Sequence, residues 1–261
     1  MALRRAIRIR HIMTASRNVY APQHSSSAKS VLAIMLEKDF DMAPIFHEDG
    51  RVTSYVLRKD LQGGSLDGHQ VSKYARPLGL DRILSSSTPI LKHLQLWEEH
   101  SYYLVLNSNK LAGIVTYADL NKAPVRLIFF TILSEIEAKL RRLIRRKMPN
   151  DKWLTFLAEG RRRRIESDYR ADKEQNLEVS KTIYLMFGEL LSLFDHDHLY
   201  EVMDYQKKAA YVSTRVELNR FRNSIMHSKP LVTRAEKMRP TLKSKLDLLL
   251  QFTDRIPIKT A

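Results

Sequence analysis

The chain contains no cysteine. This excludes disulfide scaffolds, cysteine nucleophiles and thiolate metal sites, and it fits a reducing compartment. No apolar run approaches the roughly 20 residues that a membrane span requires. There is also no signal-peptide core, so the expectation is a cytoplasmic protein with no membrane partner. Positions 1–36 lack Asp and Glu and hold six basic residues, a composition that loosely suits a transit peptide. However, His11 to Ser16 already reads as the start of a folded repeat. Neither a Gly-x4-Gly-Lys phosphate loop nor a Gly-x-Ser-x-Gly elbow occurs.

What is present is a basic chain with enough apolar residues for more than one core. Its 261 residues are 44% hydrophobic and 28% charged, and the formal net charge is +15. That length suits two domains. The positive field favours polyanions as partners: nucleic acid, nucleotides or an anionic surface.

The first 120 residues are organised as a duplication. One copy has an apolar helix (28–38), a strand (42–46), a turn (47–50) and a strand (52–57), and ends Arg58-Lys59-Asp60-Leu61. The other has a helix (89–99), a strand (102–106), a turn (107–110) and a strand (111–116), and ends Tyr117-Ala118-Asp119-Leu120. Asp60 and Asp119 stand 59 positions apart, the mark of a repeated supersecondary unit. Thr88-Pro89 is a helix start, with a hydroxyl cap before a proline at the first helical position. The segment 62–68 reads as the linker between copies.

Beyond Pro124 the pattern is helical only. Phe129, Ile132, Ile136, Leu140 and Leu143 recur at three- and four-residue spacing within 125–147. A buried central helix is expected over 177–194, a third helix over 205–227 and a fourth over 241–254. Such apolar stripes are core, and four helices suggest a bundle. Residues 121–170 carry 14 Lys/Arg against 6 acids, a net +8, and Arg161, Arg162, Arg163 and Arg164 are consecutive. A solvated loop would explain this charge. So would a phosphate-contacting patch whose RNA affinity falls with salt.

The duplicated unit, with its terminal Gly113-Ile114-Val115-Thr116-Tyr117-Ala118-Asp119, resembles a tandem CBS (Bateman) module over residues 10–121. The resemblance implies a regulatory adenine nucleotide (AMP, ADP or ATP) held by Thr116 and Asp119. The threonine ends a strand where a helix begins and faces phosphate. The carboxylate, one turn later, accepts from the ribose hydroxyls. The first copy keeps Asp60, assigned to nucleotide binding with Thr116 and Asp119, but has Leu57 in place of Thr116, so its site is expected either to be empty or only to complete the second. Helix capping alone would also account for Thr116 and Asp119.

Arg222-Asn223-x-x-x-His227 is similar to the Arg-x4-His motif of HEPN ribonucleases, in the variant with Asn after Arg, and the resemblance covers residues 125–255. It implies metal-independent endoribonuclease chemistry that leaves a 2′,3′-cyclic phosphate. Arg222 would act as the cation on the scissile phosphate, His227 as the proton carrier, and Asn223 as the group orienting phosphate or histidine. Five helical residues separate Arg222 and His227, about 500° of rotation. One motif therefore makes a poor site alone, and the resemblance implies a homodimer in which two converge.

The expected fold class is α+β. An N-terminal α/β tandem CBS module spans 1–122, and an all-α HEPN-like bundle spans 123–261. No cofactor is expected to be required and no metal site is assigned; Asp195-His196-Asp197-His198 is read as a loop, since adjacent residues rarely converge on one ion. Trp97 and Trp153 are read as amphipathic or core residues. The alternative function is a non-catalytic nucleotide-sensing module that binds nucleic acid or a protein.

Overall fold

In a computed structural model the described residues are 6–49, 51–63, 65–94, 100–107, 110–233 and 241–257. The predicted turns at 47–50 and 107–110, the end of the second apolar helix, and Trp97 lie partly or wholly outside them. Contacts divide the chain into two compact units, Met1–Val125 and Arg126–Ala261.

The first unit contains two sheets. β2 (Met42–Phe46), β3 (Val52–Leu57) and β4 (Arg76–Pro77) form one. The other runs β1 (Thr14–Ala15), β7 (Lys110–Thr116), β6 (Tyr102–Asn107) and β5 (Ile83–Ser85). Each hairpin alternates short-range turn chemistry with β-branched and aromatic residues, the composition that favours pleated pairing. Both hairpins carry a bulge at the same place. Ile45 pairs with Ser54 and Phe46 with Val52, passing over Thr53; Val105 pairs with Gly113 and Leu106 with Leu111, passing over Ala112.

The edges are exchanged reciprocally. β4 lies against β3 with Arg76 opposite Tyr55, and β1 lies against β7 with Thr14 opposite Ile114. The segments leading into the helices repeat the exchange at 62 positions: Val71 N–H donates to Ser26 and Ile9 N–H to Thr88, while Ala28 donates to His69 and Ile90 to Ile7. Gly113 is required by this crossing, because a Cβ there would stand 2.1 Å from the Thr14 carbonyl oxygen. α1 (Ala28–Glu37), capped by Ser27, buries Ala28, Val31 and Met35 against Ala43, Ile45 and Val56. α2 (Arg58–Leu61) and α3 (Ile90–Leu94) complete the described helices of these layers.

The second unit is helical. α4 (Ala123–Lys147) buries Phe129, Ile132, Ile136, Leu140 and Leu143, the stripe expected from spacing. α5 (Glu159–Glu174), α6 (Phe187–Ser192), α7 (Lys208–Met226) and α8 (Thr241–Arg255) follow. Two expectations are corrected here. The basic stretch is not a loop but the helix α5. The expected continuous helix over 177–194 is broken into a 3-10 turn (Lys181–Tyr184), α6 and a second 3-10 turn (Leu193–Asp195). Arginines explain the break. Arg141 donates to the carbonyls of Thr182 and Leu185, and Arg161 to that of Tyr184, so guanidinium donors bond these oxygens, with Leu185 N–H also donating to Thr182 in the 3-10 turn. Glu189 then accepts from Met186 N–H at 2.8 Å and starts α6. Trp153 is fully buried, as a core residue.

Candidate functional site

Thr116 ends β7, and the next residues turn at once into a 3-10 helix, Tyr117–Asn121, which brings Asp119 back beneath it. Asp119 is buried. Its Oδ2 accepts from Thr116 N–H at 2.6 Å and from Thr116 Oγ1 at 2.9 Å, while Oδ1 pairs with Lys122 Nζ at 2.6 Å. Lys122 also donates to the Ile12 carbonyl. The two residues singled out for nucleotide binding are thus brought together, and the capping geometry is realised. Both carboxylate oxygens already have donors. A ribose would meet Asp119 only by displacing Lys122, a single-point cation on the carboxylate.

Asp60 sits at the corresponding place of the first sheet and is held differently. The Arg76 guanidinium grips it through two parallel bonds of 2.6 and 2.7 Å, which holds its carboxyl below the usual carboxylate range. Arg58 is bound to Asp39 and Asp41. Arg82 lies over the rings of Tyr102 and Tyr55, 4.9 and 5.4 Å from their centroids. Arg76 and Lys122 were not singled out from sequence. The signal for Arg76 was the 62-residue offset of the leading segments, which places it where Thr14 stands in the other sheet.

In the helical unit, α7 buries Leu218, Phe221 and Ile225, and Phe221 packs edge-on against Phe129 with centroids 5.1 Å apart. That stripe places Arg222 and Asn223 half-buried beside it. Arg222 Nη1 donates to Asn223 Oδ1 at 3.4 Å, and the buried Arg222 Nε has no partner among the described residues. His227 is exposed at the C-cap, its N–H bonded to the Asn223 carbonyl. Arg222 and Asn223 are brought together; His227 shares no hydrogen bond with either side chain among the described residues.

The four arginines do not form one patch, because consecutive helical residues point 100° apart. Arg161 faces inward, bound to Glu189 through bonds of 2.6 and 3.1 Å and to the Tyr184 carbonyl. Arg163 and Arg164 are exposed and pair with Glu159 and Asp168 one turn away. Arg162 lines a groove of about 840 Å³ with Arg163, Glu166, Ser167, Arg170 and Glu174. α5 carries six basic and five acidic residues, so its net charge is only +1. Most of the +8 therefore lies elsewhere, largely on α4, where Lys139, Arg141, Arg145 and Arg146 donate to protein oxygens.

In the 195–198 cluster Asp195 pairs with Arg215, and His198 contacts Tyr200 and Glu201. Among the described residues no three His, Cys, Asp or Glu side chains are grouped to hold a metal, and no helix is long and apolar enough to cross a membrane.

No family model matches the chain, and no curated protein matches it. Solved structures do. A CBS-pair protein, CBSX2 from Arabidopsis thaliana, is 20% identical with a TM-score of 0.42, over 47% of this chain and 96% of that one. The CBS domain of a bacterial CNNM/CorC family Mg2+ transporter in complex with ATP is 18% identical, with a TM-score of 0.41, over 49% and 91%. CBS domains of a transcriptional regulator from Streptococcus pneumoniae are 19% identical, with a TM-score of 0.40, over 44% and 96%.

Proposed function

We propose that the chain is an RNA-cleaving protein controlled by an adenine nucleotide. In this reading the N-terminal unit is a tandem CBS sensor and the C-terminal unit a HEPN-like endoribonuclease. The reciprocal strand exchange and the twin bulges support two copies of one module. The nucleotide site is the second copy, at Thr116 and Asp119, where the competing cation is a lysine making one bond to the carboxylate rather than the two of a guanidinium. Asp60 is closed by the bidentate Arg76.

One observation carries the nuclease: Arg222 has a buried guanidinium nitrogen without an acceptor among the described residues, beside Asn223 and five residues before an exposed histidine. The Nε itself is sealed from solvent, as is that of Arg162, so a phosphate would be met by the Nη groups of this half-buried arginine, for which no carboxylate competes among the described residues. Arg161, by contrast, has its Nε and Nη2 engaged by Glu189 and the Tyr184 carbonyl. The RNA contacts are Arg162, Arg163 and Arg164, joined by Arg170, which lines the groove with Arg162 and Arg163. His227 would carry the proton, and a second copy would bring the second motif.

The test is cleavage of a labelled single-stranded RNA, with and without AMP, ADP or ATP and in EDTA. His227→Ala should lose about 10²–10⁴-fold in rate. Inert wild-type protein under every nucleotide would replace this reading with the second one, a non-catalytic sensor module. The separation of His227 from Arg222 within one chain favours that second reading.

A further inference from the structure

We infer that Arg126 is a positioning residue for His227, an inference that rests on the nuclease reading above. Arg126 stands in the first turns of α4 and reaches the C-terminal end of α7. Its Nη1 donates to the carbonyls of Ser224 and Ile225, both at 3.1 Å, and its Nη2 to that of Lys229 at 2.8 Å. These three oxygens flank His227 on both sides along the chain. The last carbonyls of a helix have no intrahelical donors. The Ser224 and Ile225 carbonyls already accept from Lys229 N–H and Ser228 N–H; the planar guanidinium adds a second bond to each and one to the Lys229 carbonyl, tying the turn to α4, and its charge complements the negative end of the helix dipole.

The backbone between those anchors is a tight reversal. His227 N–H donates to Asn223, Ser228 N–H to Ile225 and Lys229 N–H to Ser224, with Ser228 in the left-handed region at φ 53°. A serine there is held against its own preference, and Arg126 adds an external tie to the turn's own backbone bonds. The imidazole is exposed and has no side-chain anchor of its own among the described residues; this turn therefore fixes where its Cα–Cβ bond starts and so the space the ring can reach. Arg222, on the preceding turn, is fixed by the buried face of α7. Arg126 thus sets the placement of the one motif residue that the helix interior does not hold.

The experiment compares wild type, Arg126→Lys and Arg126→Gln. It measures amide hydrogen exchange at 227–229, together with kcat, KM and the pH profile on a labelled single-stranded RNA. In Arg126→Gln the turn amides should lose protection, and kcat should fall roughly 100-fold, the scale of an ångström-sized misplacement, with KM little changed. Arg126→Lys, which keeps the charge and reaches fewer carbonyls, should recover part of kcat. If Arg126→Gln cleaves like wild type, the positioning role is overturned while the nuclease stands. Inert wild type removes the nuclease and with it this inference, whatever the turn amides do. Protected amides in Arg126→Gln overturn the clamp itself.

Discussion

His93 is fully buried on α3, edge-on to the Tyr103 ring at 4.6 Å, and burial pushes its imidazole down to about 4. Above pH 6.5 it is neutral whether folded or unfolded, and its contribution is complete. As pH falls from 6.5 toward 4, only the unfolded chain takes up the proton. Stability is then lost at about 1.4 kcal/mol per pH unit, some 2–3 kcal/mol in all. Denaturant melts of wild type and His93→Phe between pH 7 and 4.5 check this; the variant should lose much of that slope. Asp119 has two tasks, as cap and as candidate ribose acceptor. Asp119→Ala should weaken nucleotide binding by about 1–3 kcal/mol, the cost of leaving a donor unpaired, whereas Asp60→Ala should leave it unchanged. Calorimetry on both variants separates the copies; loss of binding in Asp60→Ala would reverse the assignment.

At the scale of elements, two positions decide whether strands and helices meet. Gly113→Ala puts a methyl into the Thr14 carbonyl and should part β1 from β7, destabilising by at least about 2 kcal/mol; a lowered melting temperature is the readout. On α5 the neighbours should behave in opposite ways. Arg161→Ala breaks the Glu189 and Tyr184 contacts and should destabilise the helical unit. Arg162→Ala and Arg170→Ala should keep the fold and each reduce the salt slope of RNA affinity by about one. Titrations from low to physiological salt would show this, and a flat wild-type affinity would remove α5 from RNA binding. The helix periods of α4, α7 and α8 were legible because each buries one apolar stripe. The break across 177–194 was not, because apolar residues on several sides suit a buried helix as well as an arginine-pinned turn.

At the scale of the whole molecule, the nuclease reading requires two copies, so a homodimer is expected by light scattering at micromolar concentration. Nucleotide control then has to pass along the chain from Asp119 and Lys122 into α4. Lys122→Ala is therefore expected to alter the nucleotide response of cleavage more than its basal rate. By itself the sequence determined the repeat, the hairpins, the switch to helices after Pro124 and the chemistry available at Thr116, Asp119, Arg222, Asn223 and His227. All of these follow from periodicity and residue type, which are local properties. Only the tertiary structure decided which charges are spent inside the protein. Arg76 closes over Asp60, Arg161 turns to Glu189 and Arg126 ties the end of α7, while Arg222 keeps a donor without a partner among the described residues. Those outcomes depend on residues distant in sequence and on the 100° step of a helix, which turns one arginine inward and sends the next toward solvent.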